Sequence, residues 1–422
     1  MTELPTGWTR ASLGEVADTT LGKMLDRGKI RGLPSVPYLR NVNVQWGRID
    51  THDLQTMELA DGDRDRFAVQ PGDLLVCEGG EIGRAAIWNG RTEYLAFQKA
   101  LHRIRSRGNL DLFYLRYLLE FYRDDGTLER FATGSTIAHL PQQKLRALPV
   151  PLPTLGEQRR IVDTLEDHLS RLDAAGEGCA AAQLRLEALR LSILSSVLFE
   201  REDWPHVALG DALDMSVGGV WGSGAGADEA DVRVLRVTEL KPQGRLDPST
   251  AALRSISQRQ LSTRQLQPGD LLLEKSGGGP NSPVGRVGLV EVLESPSVCS
   301  NFMQLMRPRQ DDVLPRFLHL YLNAFHARGG TVPMQKASTN IRNLKSSEYL
   351  RILVPMPGKA VQEAAVHRLE VVLGAVDRMD ADINQTLTRG DSLRRALLSA
   401  AFSGRLTGRS TDMEMVEEMA GV

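Results

Sequence analysis

The chain has 422 residues, 41% apolar and 25% charged, with a formal net charge of −2. That length bounds the protein at about three domains of ordinary size, and near-neutrality excludes a polyanion binder that works through overall charge. No apolar run of about 18 residues could span a bilayer, MTELPTGWTR lacks a basic-then-apolar export signal, and Cys77, Cys179 and Cys299 contain no CxxC pair that would point to zinc or a disulfide framework; a cytoplasmic protein is expected.

The first globular segment opens with LPTGWTRASLGEVADTTLG, and its landmarks return 196 residues later: Trp8 with Trp204, Leu13-Gly14-Glu15 with Leu209-Gly210-Asp211, Gly22 with Gly218. The alternating run Tyr38–Asp50, closed by a glycine turn, answers Val234–Asp247 and reads as β structure. Next come VQPGDLLVCEGGEIGRAAI and LQPGDLLLEKSGGGPNSPVGRVGLV, in which Pro-Gly-Asp sets a turn, the apolar run is a buried strand, and a glycine-rich loop precedes another strand. The second copy carries about five more residues in that loop, where insertion is tolerated and function varies.

A short helix follows in each half, Leu112–Tyr122 and Arg316–Phe325, and then a polar loop, Ala132–Leu145 and Gln335–Leu350. LPVPLP and ILVPMP close the two globules, and their Pro-x-Pro stretches are expected to act as stiff hinges.

Each hinge leads into a ladder of apolar or small residues spaced four and three apart. The first takes Ile161, Leu165, Leu172, Leu186, Leu189 and Ile193 among its positions; the second, 204 residues on, takes Leu369, Val372, Val376, Met379, Ile383, Leu393 and Leu397. This spacing keeps one narrow seam on one partner helix. Gln158/Gln362, Asp173/Asp377 and Arg190/Arg394 also recur. Two long helices packed on each other as an antiparallel coiled coil are expected, with Gly176, Gly178, Gly374 and Gly390 marking bends, close backbone contacts or helix ends. The fold class is therefore α+β: two mixed α/β globules in a pseudo-twofold repeat, separated by two long helices. The expected boundaries are residues 1–153 and 201–357 for the globules, 154–200 and 358–408 for the spacer helices, and 409–422 for an acidic tail.

Catalytic motifs are missing: there is no GxxxxGK[ST], HExxH or GxSxG. Asp270, Glu274 and Lys275 resemble a nuclease cluster, but the first copy has Asp73, Glu78 and Gly79 at a different spacing, which fixed metal geometry would not survive. No catalytic or metal-binding residue is expected. Local charge is uneven: Arg84–Arg107 holds six basic residues and one acid, and Arg328–Lys345 four and none. Such faces suit DNA. Arg and Lys donate to guanine, Asn and Gln pair with adenine, and Ser and Thr serve bases or phosphates. Candidate DNA-binding residues in the first copy are Arg40, Asn41, Arg84, Lys99, Arg103, Ser135, Thr136 and His139. In the second they are Lys275, Ser276, Asn281, Arg286, Lys336, Ser338, Thr339, Asn340 and Arg342.

The repeated order of Trp-x4-Leu-Gly-[Glu/Asp], PGDLL, the glycine-rich loop, GST-I or ST-NI, the PxP stretch, EQRRIVDTLE, and LRLSILSSV or LRRALLSAA resembles the specificity subunit of a type I DNA restriction–modification system, along essentially the whole chain. The resemblance implies two target recognition domains, each reading half of a split double-stranded DNA sequence, and a helical spacer that sets the gap and docks two copies of the adenine methyltransferase subunit. A restriction–translocase subunit is a further candidate partner. S-adenosylmethionine would sit on the methyltransferase; no cofactor is expected in this chain, which would be a non-catalytic, sequence-specific DNA-binding subunit with no membrane partner. MPGKAVQEAA departs from the pattern by keeping only Gln362 of the acidic-Gln entry, which leaves the start of the second helix open. Two other readings stand beside this one: a nuclease or methyltransferase in its own right, and a coiled-coil adaptor that touches only protein.

Overall fold

The computed structural model describes residues 4–25, 32–90, 94–134, 138–279, 282–337 and 341–407. It divides into two compact units, Met1–Ala180 with Asn384–Val422, and Ala181–Ile383. Neither boundary coincides with the end of a globule; both fall inside the long helices, which run unbroken over Leu155–Leu198 and Lys359–Phe402.

In the first unit a four-stranded antiparallel sheet has the order Ala17–Leu21, Leu101–Ser106, Leu74–Cys77, Ala85–Ile87. Every residue of Leu74–Cys77 is buried, which is why an uninterrupted apolar run forms a central strand. A smaller mixed sheet places Ser35–Leu39 between antiparallel Gln55–Glu58 and parallel Ala96–Phe97. Both sheets return in the second unit in the same order: Leu213–Gly218, Met303–Pro308, Leu271–Glu274, Val287–Leu289, and Ala230–Leu235 between Ala252–Ile256 and Ser297–Cys299.

The Pro-Gly-Asp turns explain themselves locally. Gly72 and Gly269 sit at φ +90° and +92°, where a side chain is strained. The following Asp caps the turn and holds an arginine in a two-pronged pair: Asp73 with Arg105 at 2.5 and 2.8 Å, Asp270 with Arg307 at 2.7 and 2.8 Å. The Pro-x-Pro stretches differ from the expected hinges. Pro149–Leu152 is a strand paired with Thr9–Ser12, and Leu353–Pro355 pairs with His206–Ala208. Proline is tolerated because each is a two-stranded ribbon with a free edge, and the Tyr114 and Tyr122 hydroxyls donate to the Pro151 and Pro149 carbonyls at 2.8 and 2.7 Å, pinning the stretch.

Within the first unit, Ile161–Leu172 at the start of one long helix packs against Leu393–Phe402 at the end of the other; within the second, Ile193–Leu198 packs against Ala365–Leu373. The two helices therefore run antiparallel in each unit. Arg394 pairs with Asp173 in the first unit, and Arg190 with Asp377 in the second, the same pair displaced by 204 residues. Half-exposed pairs of this kind contribute only about 0–1 kcal/mol each, so they select register more than they stabilise.

The seam differs from the expected ladder at alternate positions. Leu165, Leu172, Leu186, Ile193, Leu369, Val376, Ile383 and Leu397 face inward, but Leu189, Val372 and Met379 are 47%, 39% and 53% exposed. Their places are taken one residue later by Arg190, Leu373 and Asp380, as the heptad runs through Val162, Leu165, Leu169 and Leu172. Ile161 and Leu393 are inside as well, packed in the first unit's core. The helical glycines neither end the helices nor make close backbone contacts: open space surrounds Gly176, Gly178 and Gly390, and only the Arg378 guanidinium lies within 4 Å of a Cβ on Gly374.

Each long helix is tied to its globule by a buried glutamine. Gln158 accepts from the Asp111 amide at 2.7 Å and donates to the Asn109 and Pro153 carbonyls at 3.0 and 2.9 Å. Gln362 repeats this with Leu314, Asp312 and Pro357, all at 2.8 Å. Replacing the buried Gln362 by Leu removes the partner of three backbone groups and should lower unfolding free energy in denaturant titration by about 2–4 kcal/mol, whereas Gln385→Leu on the exposed face should change it by less than about 0.5 kcal/mol. His319, at the position Leu115 holds in the first unit, is buried and hydrogen-bonded to the Gly244 carbonyl at 3.2 Å. Burial, with Arg316 beside it, holds its imidazole near pKa 4, against an ordinary 6.5. The unfolded chain thus binds the extra proton, so stability falls as pH drops from 6.5 to about 4. His319→Leu should flatten this part of a stability–pH curve.

Candidate nucleic-acid interface

In each unit the central strand runs straight into the glycine-rich loop, and the polar loop closes over it. In the first, the Glu78 amide donates to the Ala100 carbonyl at 3.0 Å, and the Leu140 amide donates to the Glu78 carbonyl at 2.7 Å. Gly79 bridges to His139, which exchanges backbone hydrogen bonds with Thr133 at 2.8 and 2.9 Å. A Cβ on Gly79 would lie 3.0 Å from His139 Nδ1, so the missing side chain makes room for the imidazole.

The second unit repeats the arrangement. The Lys275 amide donates to Phe302 at 2.9 Å, and the Leu344 amide donates to Lys275 at 2.8 Å. Here the loops form a small sheet in which Ser276–Gly277 and Gln335–Ala337 flank Arg342–Leu344. The Ser276 hydroxyl donates to Asn343 Oδ1 at 2.7 Å, and Arg342 Nε donates to the Gly279 carbonyl at 3.0 Å. Gly278, at φ +65°, admits no Cβ, which would meet the Ser282 carbonyl at 2.2 Å.

Lys99, His139 and Asn41 gather at the first junction, Asn41 with Nδ2 3.5 Å from a Cβ on Gly80. Lys275, Ser276, Lys336 and Arg342 gather at the second. Ser135, Thr136, Asn281, Ser338, Thr339 and Asn340 lie outside the described residues. Four of the candidate arginines have partners within the protein. Arg103 is only 7% exposed, donating to the Ala68 carbonyl and, at 3.4 Å, to Thr20 Oγ1. Arg40 pairs with Asp53 at 2.6 Å, and Arg286 grips Glu274 at 2.8 and 3.0 Å. Arg84 donates to the Asn41 carbonyl at 2.8 Å, supporting the loop from behind. Beside a glycine loop, a paired and a free arginine look alike in sequence.

Sequence reasoning missed Glu78, Asn343 and Phe302, the last 44% exposed. Matching backbone hydrogen bonds make Lys275 the counterpart of Glu78, and Glu274 that of Cys77. The apparent change of carboxylate spacing came from equating Glu78 with Glu274. The nuclease-like acids are locked in arginine pairs, and no group of three His, Cys, Asp or Glu among the described residues could hold a metal ion. Burial pushes the Cys77 and Cys299 thiols up to about 11 and about 12, so neither supplies a thiolate nucleophile. Burial also raises the Glu78 carboxyl, against the opposing pull of Lys99 and His139. No helix is long and apolar enough to cross a membrane among the described residues.

The geometry has close relatives. Residues 5–176 match the family model of the type I restriction modification DNA specificity domain. The EcoBI specificity subunit of Escherichia coli is 22% identical over 95% of this chain and 87% of its own, and the EcoKI specificity subunit of Escherichia coli K12 is 21% identical over 96% and 91%. Among solved structures, a chain from a study of complex assembly and conformational transition of the type I R-M system superposes with TM-score 0.73, at 19% identity, over 96% of this chain and 100% of that one. The HsdS subunit of Thermoanaerobacter tengcongensis does so with TM-score 0.51, at 19% identity, over 96% and 99%. Residues 5–176 thus match the type I restriction modification DNA specificity domain, and nearly the whole chain is similar to specificity subunits of type I restriction enzymes.

Proposed function

We propose that this chain is the sequence-reading, non-catalytic subunit of a DNA methyltransferase and restriction complex, and that each unit reads one half of an asymmetric, two-part target in double-stranded DNA. One observation carries the reading: the same backbone junction is presented twice, with unlike side chains. Two identical readers would suit a palindrome, whereas a shared frame carrying Glu78, Lys99 and His139 in one copy and Lys275, Ser276 and Asn343 in the other suits two different half-sites.

Adenine methylation requires the target base to leave the stack, and that chemistry, with S-adenosylmethionine, belongs to methyltransferase partners, two copies for two half-sites. Exposed Val372 and Met379, two turns apart on one helical face of the second unit, support such a partner, since apolar side chains there are covered at little cost. The restriction–translocase subunit is a further component. An enzyme in its own right is disfavoured because the candidate carboxylates are held by arginines.

Genomic DNA incubated with S-adenosylmethionine and the chain loaded with methyltransferase should acquire methylated adenines within one two-part, asymmetric motif, and the chain alone should neither methylate nor, with Mg²⁺, cleave. Modification or cleavage by the chain alone, or loaded-complex methylation with no sequence preference, would contradict the proposal.

A further inference from the structure

Glu78 and Lys275 occupy one structural position. Each follows directly on the central strand, Leu74–Cys77 or Leu271–Glu274. Each amide donates to the residue before the outgoing strand, Ala100 or Phe302, and each carbonyl accepts from the end of the polar loop, Leu140 or Leu344. At this point, where both candidate DNA-contacting loops meet, one unit presents an acceptor and the other a donor.

Both side chains are half-buried, and neither makes a side-chain hydrogen bond or ion pair among the described residues. A partly desolvated carboxylate without a close partner is unfavourable in the free protein, and phosphate would repel it. An amino group on a base edge satisfies it. The neighbours differ accordingly. Glu78 has the Lys99 ammonium and the His139 ring nearby to ease its approach to DNA, whereas the corresponding places around Lys275 hold Asn301 and Asn343. In the major groove a carboxylate accepts from cytosine N4, and an ammonium donates to guanine O6 or N7.

Resting on the DNA-reading role above, we propose that Glu78 and Lys275 are the specificity-determining pair of the two reading faces, Glu78 accepting from a cytosine amino group in one half-site and Lys275 donating to a guanine in the other.

The test uses the full chain loaded with methyltransferase, its motif first mapped by adenine methylation. Duplexes carrying every single substitution in both half-sites are then titrated with wild type, Glu78→Gln, Glu78→Asp and Lys275→Met. Glu78→Gln should lose about tenfold or more of the discrimination at one C·G pair in one half-site, Glu78→Asp should retain that preference, and Lys275→Met should lose a similar factor at one G·C pair in the other half-site. Undisturbed reading of the opposite half shows that each variant is folded. A uniform loss across all duplexes, marking a phosphate or scaffold role, would overturn the assignment, as would unchanged discrimination at every position. Either result leaves the DNA-reading role standing; absence of any sequence preference in wild type removes that role as well.

Discussion

The buried glutamine that opens each long helix is the joint on which the rest depends. Gln158 and Gln362 use both ends of the amide to satisfy three backbone groups at the place where a globule gives way to a helix. An amide is the right group for the task, because it supplies donor and acceptor without a charge that burial would penalise. With the helix start fixed against the globule, the interhelical pairs Arg394–Asp173 and Arg190–Asp377 need only choose register.

Divergence between the copies follows the same physical logic. Elements that bury the backbone are kept: the strand orders, the Pro-Gly-Asp turn with its arginine, and the backbone hydrogen bonds around Glu78 and Lys275. Side chains change where the backbone does not depend on them. Even inside, the exchange of Cys77 for Glu274 is matched: the Cys77 thiol lies 3.7 Å from the Asn41 carbonyl, to which Arg84 donates, while Glu274 is paired directly to Arg286. A fixed frame with exchangeable contacts is what the proposed reading of two different DNA sequences requires.

Much of this architecture was legible in the sequence, since landmarks such as Trp8/Trp204 and the two PGDLL runs carry their spacing with them. The phase of the helical seam was not. Ile161 and Val162 are both apolar, as are Val372 and Leu373, so periodicity alone allows either choice. The facing helix decides, and in the second unit it leaves Leu189 and Met379 outside while taking in the stem of Arg190. Likewise a proline-rich stretch gives no sign in its own residues that tyrosines 27 and 37 positions earlier will pin it as a strand. At the candidate site, the roles of Arg103 and Arg286 hinge on the Ala68 carbonyl and Glu274, partners that no local pattern reveals.

Whether two copies of one frame each read their own half of the target is tested by a globule exchange. Residues 5–153 are replaced by the corresponding segment of a specificity subunit with a different known motif, and methylated adenines are mapped with the methyltransferase-loaded complex. The expected outcome is a hybrid motif in which one half-site takes the donor's sequence and the other is unchanged. Alteration of both halves, or of neither, would contradict it.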